Sequence, residues 1–62
     1  MQVKGSDQSS FADALENAIA QAPPNGNVPR TYEVRRSWTE RGGIVGKMFY
    51  VEVRVTGPDV DD

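Results

Sequence analysis

Two adjacent prolines, Pro23 and Pro24, constrain this chain more than any other feature. Neither can donate a backbone hydrogen bond, and the second biases the first away from helical geometry, so a helix reaching this point must stop. The hydrophobic period changes at the same place. Before the prolines, Phe11, Ala14, Leu15, Ala18, Ile19 and Ala22 recur at three- and four-residue steps, while Asp13, Glu16, Asn17 and Gln21 fill most of the other face. This pattern predicts one amphipathic helix of about three to four turns beginning near Ser9 or Ser10, where Ser10 and Asp13 form a short-armed capping box. The alanines let the helix lie close against a sheet, and Phe11, Leu15 and Ile19 supply most of its apolar bulk.

After the prolines, Asn25, Gly26, Asn27 and Pro29 make a turn-rich connection, and strict alternation takes over. Residues 30–40 place Tyr32, Val34, Arg36 and Trp38 on one face and Thr31, Glu33, Arg35 and Ser37 on the other. Gly42 and Gly43 supply a flexible turn or bulge. Residues 48–56 alternate again, with Phe49, Val51, Val53 and Val55 opposed to Met48, Tyr50, Glu52 and Arg54. A short first strand is expected around Val3 and Lys4, punctuated by Gly5. Gly57 and Pro58 end the last strand ahead of a frayed acidic tail, Asp59, Val60, Asp61 and Asp62.

The expected fold class is therefore α+β, a βαββ arrangement in which a three-stranded antiparallel sheet wraps around one helix, as a single domain over residues 1–62, ordered over about 2–57. Phe49, Val51, Val53 and Val55 would face the helix. The other sheet face is left uncovered and carries Tyr50 and Met48 among charges, which suits an assembly surface or a ligand platform.

A chain of 62 residues buries a thin core. With no Cys and no His, disulfides are excluded and zinc is disfavoured as a staple, which leaves self-association as the expected source of extra burial. Met1 is followed by Gln2, Val3 and Lys4 without a basic and apolar leader, and no window approaches the ~20 apolar residues of a membrane span, so a soluble cytoplasmic protein without membrane contact is expected. The net charge of −2, with Glu33, Glu40 and Glu52 interleaved among the basic residues, argues against a nucleic-acid partner. The chain offers no His or Cys, no serine in a nucleophile elbow, no phosphate-binding glycine motif and no calcium-loop pattern around Asp59, Asp61 and Asp62. A binding protein is expected, not an enzyme, and no metal site.

The run Gly5-Ser6-x-x-Ser9-Ser10-Phe11-x-x-Ala14-Leu15-x-Asn17-Ala18-Ile19-x-x-Ala22 resembles the first-strand exit and helix of the dodecin family. Tyr32-Glu33-Val34 and Tyr50-Val51-Glu52-Val53-Arg54-Val55 are similar to its aromatic-Glu-Val and closing-strand segments, so the resemblance spans about Val3 to Val55. It implies a homo-oligomer, a hollow dodecamer, and binding of FMN or another flavin between aromatic side chains near symmetry axes, a storage function. Two positions depart from the family pattern. The Trp that precedes the aromatic-Glu-Val stretch is replaced by Thr31, preceded by Arg30, and the last-strand Gln that hydrogen-bonds the flavin ring corresponds to Tyr50.

The candidate ligand contacts are accordingly Arg30, Thr31, Arg35, Tyr50 and Trp38. Arg30, Thr31, Arg35 and Tyr50 would share the open face, where ring and guanidinium groups could hold a planar anion. The same charges could instead form inter-subunit ion pairs with Glu33 and Glu52. Trp38, on the parity of Tyr32 and Val34, is expected to pack over the helix end or at a subunit contact, unless a bulge at the glycines turns it toward a ligand.

Overall fold

The computed structural model describes residues 1–44 and 46–60 and has the expected element order: β1 (Gln2–Asp7), α1 (Phe11–Ile19), β2 (Thr31–Gly42) and β3 (Gly46–Thr56). The sheet is antiparallel throughout in the order β1-β3-β2, so β3 is central and the other two strands are its edges. The chain thus has the α+β architecture of one helix on one face of a three-stranded sheet.

The helix starts where its cap dictates. Ser10 is extended, and its hydroxyl accepts from the Asp13 amide at 3.0 Å, satisfying one of the amide donors that the first turn leaves without an intrahelical partner. The helix is shorter than its periodicity suggests. It ends at Ile19, and Gln21 and Ala22 donate to carbonyls three residues back, so the last apolar position is reached by a tightened turn ahead of the prolines.

Packing on the sheet inverts the expected division of labour. Ala14 and Ala18 are completely buried, whereas Phe11 is 40% exposed and Leu15 and Ile19 are half-buried. The reason lies in β1. Gly5 sits within the strand opposite Val51, and a Cβ there would collide with the Ala14 carbonyl and the Ala18 amide. The helix backbone therefore rests directly on the strand, and small residues occupy the contact. Asn17 fixes the register by donating to the Ser6 carbonyl at 2.7 Å. Gly5 is an approach site in mid-strand, not the punctuation that ends it.

The core consists of Val3, Ala14, Ala18, Val51, Val53 and Val55; among the described residues no side chain larger than valine is fully buried. Met1, Leu15, Tyr32, Phe49 and Val60 lean on its rim. Phe11 meets Phe49 edge to face at 4.8 Å, closing one end. The helix lies over β1 and β3 and barely meets β2. Val34 consequently remains 44% exposed although its partner Val53 is completely buried.

The β2–β3 hairpin runs past the helix, in a molecule 41 Å long, and turns through Gly42, Gly43 and Gly46, all at positive φ. Ile44 at its tip is fully exposed. At the other end the sequence expectation of a frayed tail fails through Val60. Asp59 is clasped by Arg30, and Val60 donates to the Gly57 carbonyl while packing against the core. Asp61 and Asp62 lie outside the described residues.

Candidate functional site

The helix-free face of the sheet is built by a single irregularity in β2. Tyr32 and Val34 lie opposite Val55 and Val53, on the helix side, but the next paired residue is Arg36, opposite Glu52. Arg35 is the extra residue of a β-bulge. Two residues then oppose one, and every side chain beyond the bulge changes face relative to simple alternation. Arg36, Trp38 and Glu40 come to the open face opposite Glu52, Tyr50 and Met48. The expectation that Trp38 follows Tyr32 and Val34 toward the helix is thereby corrected, and the bulge responsible is at Arg35, seven positions before the glycines of the turn.

Trp38 and Tyr50 form a cross-strand pair with ring centroids 5.2 Å apart and planes within 9° of parallel. The Arg36 guanidinium lies 4.5 Å from the Trp38 ring centre, a cation–π geometry. The indole nitrogen donates to Glu40 at 3.2 Å, which fixes the ring's orientation. Across β3, the neighbour of Tyr50 is Ser6, a small residue, and both rings remain partly open to solvent. Such parallel rings offer a π surface to which a third planar ring can be added, worth about 0.5–1.5 kcal/mol beyond burial of area.

The next row along the face is ionic. Glu52 sits between Lys4 at 3.9 Å and Arg36 at 3.8 Å, with the carboxylate side chain far less exposed than either cation. Beyond it, Gln2 lies beside Arg54, and these two together with Met1 and Arg35 line an open groove of about 500 Å³. Arg35 is paired with Glu33 at 3.3 Å, both side chains being more than half exposed. These are intrachain pairs.

Of the five residues singled out from the sequence, Trp38 and Tyr50 are brought into contact, and Arg35 lies on the same face further along. Thr31 shares the face, opposite Thr56, but Thr56 is six residues from Tyr50 along β3, roughly 20 Å at about 3.3 Å per residue. Arg30 does not join them. Its side chain is only 2% exposed, its Nε and Nη2 donate to the Asp59 carboxylate, and its Nη1 donates to the Pro23 carbonyl. The Asp59 carboxylate, with a smaller contribution from Tyr32, raises the Arg30 guanidinium above its ordinary value, and Arg30 holds the Asp59 carboxyl below the usual carboxylate range. Arg30 and Thr31 instead border a second hollow of about 250 Å³ with Pro29, Thr56, Gly57 and Pro58.

Arg36 and Arg54 are the contributors that the sequence reading left outside the site. One signal for Arg36 was present: on the alternation through Tyr32 and Val34 it falls at an apolar position, and a charge there marks either a broken register or a buried cation. Among the described residues no group of three or more Asp or Glu is placed to hold a metal ion. No helix of the described residues is long and apolar enough to cross a membrane. Comparisons with protein families, with curated proteins and with solved structures gave no match to this chain.

Proposed function

We propose that this chain is the subunit of a dodecin-like homo-oligomeric binding protein, whose open sheet face takes a planar aromatic small molecule, with flavin as the leading class. The reading is one of binding and storage, not catalysis. The observation that carries it is the parallel Trp38–Tyr50 pair beneath Arg36 on a face that the helix leaves uncovered. Although Thr31 stands where the family has its stacking Trp, Trp38 supplies an indole on the same face through the Arg35 bulge. Self-association is supported by the small side chains of the core and by Phe11 and Val34, apolar residues left 40% and 44% exposed.

A second reading, in which the ring pair serves only as a subunit contact in a bare shell, draws on the same uncovered rings. One experiment separates them: light-scattering mass and flavin titration of Tyr50→Ala beside the parent chain. A ligand role leaves the assembly mass intact and weakens flavin binding, whereas an assembly role dissociates the particle. A parent chain that is monomeric and binds no flavin at micromolar concentration would overturn both.

A further inference from the structure

Past the bulge, the outer edge of β2 carries its charges in a self-complementary order. From Arg36 to Gly42 the strand is paired to β3 on one side, and its other side presents the backbone donors and acceptors of a sheet edge. The helix barely meets this strand, and every residue from Arg35 to Gly42 except Trp38 is exposed. Arg36 stands two residues before Trp38 and Glu40 two residues after it, all three on the open face. Glu40 accepts the indole N–H and takes part in none of the ion pairs of the described residues. The Arg36 side chain is 66% exposed and shares the Glu52 carboxylate with Lys4, so its guanidinium has donors for a second carboxylate.

We infer that this edge is an interface with a second copy of the chain, in which β2 pairs antiparallel with the partner's β2 about a two-fold axis at Trp38. The inference rests on the self-association reading above and names its contact. A two-fold axis between antiparallel strands sets one residue opposite its own copy and sets the residues equally far on either side opposite each other. Centred on Trp38, it brings Arg36 against the partner's Glu40 at both ends of the contact, and Ser37 against the partner's Thr39. Centred on Arg36 or Glu40, it would oppose like charges. Centred on Ser37 or Thr39, it would set Trp38 against a charged residue and leave Arg36 and Glu40 unmatched. In the favoured register Trp38 meets its own copy beside the Tyr50 ring that it already stacks on, and the two stacked pairs join into one row of four rings. The bulge ends the contact, lifting Arg35 out of the ladder where it would otherwise oppose the like charge of Arg41. The contact is isologous, so it closes on two copies and consumes the edge.

The chain has no Cys, so introduced cysteines report the register directly. Residues directly opposite on antiparallel strands have Cα atoms about 4.5–5.5 Å apart, within disulfide reach. Ser37→Cys and Thr39→Cys chains, refolded together and oxidised, are expected to give a covalent mixed dimer, while either variant alone gives little. Both positions are exposed, so folding is not at stake. Glu40→Arg sets like charges together at both ends of the contact and should lower the light-scattering mass by about half or more. Arg36→Glu should do the same, and the two charge variants mixed, each checked for folding by circular dichroism, should recover the parent mass. No cross-link in the cysteine mixture, or a Glu40→Arg mass equal to the parent's, would overturn this interface and leave self-association standing. A monomeric parent would overturn both.

Discussion

Asp59 and Arg30 hold each other through three N–H···O contacts, at 3.1, 3.2 and 2.7 Å, across 29 residues of sequence. Because the Arg30 side chain is almost wholly buried and also donates to the Pro23 carbonyl, the pair ties the segment after β3 to the loop that follows the helix. The tail that composition marks as loose is thereby a clasp.

The clasp is expected to fail in acid. Asp59 has its carboxyl lowered in the folded state, so its contribution to stability is fully present above the ordinary carboxylate value near ~4 and is lost as pH falls through the lower, folded value. Thermal melts from about pH 6 down to about pH 3 should show a falling midpoint in the parent. Asp59→Asn should start lower and flatten that acid limb; an unchanged slope would assign the acid loss to other carboxylates.

Gly5 admits no side chain. Gly5→Ala should cost about 3 kcal/mol or more, because the new Cβ meets helix backbone at Ala14 and Ala18, which cannot rotate away as a side chain would. Urea unfolding with matched slopes measures it. A loss below about 1 kcal/mol would mean that the helix can lift off β1 without disturbing the valine core.

The N-cap is worth less. Ser10→Ala removes the acceptor of the Asp13 amide and should lower stability by about 1 kcal/mol, with Ser10→Asp restoring most of it. Both are read from the same denaturation series.

Deleting Arg35 should leave Trp38 on Tyr50. The bulge adds one residue between Val34 opposite Val53 and Arg36 opposite Glu52, so its removal yields regular pairing with the same partners beyond it. The tryptophan emission maximum and the near-ultraviolet dichroism of the ring pair should therefore persist. A large change in either would show that the strand had slipped and carried Trp38 to the helix side.

Most of the fold was legible because two periods are plain in the sequence: the step of three and four up to Ala22, and the alternation from Phe49 to Val55. Ser10 announced the helix start by the same logic. What could not be read has specific causes. Gly5 looks like punctuation because a glycine's requirement for close approach is a property of what lies above it, and the Ala14 carbonyl is nine residues away. The Arg35 bulge carries no glycine to mark it, and its one trace was Arg36 on an apolar parity. Thr31 and Arg30 enter the site by shared face and by their match to the family's Trp position, and neither signal registers the roughly 20 Å that separate Thr31 from Tyr50 along the strand. Asp59 was read as solvated because charge content cannot reveal a partner 29 residues away.

The break in β2 also bears on what the molecule avoids. β2 is a long edge strand, and an unbroken edge of that length is a template on which further chains can hydrogen-bond, one after another, into a fibre. At Arg35 the ladder is interrupted and the strand bends, so no straight incoming strand can follow it from end to end. The interruption makes that edge a poorer template for open-ended strand addition than an unbroken strand of the same length would be.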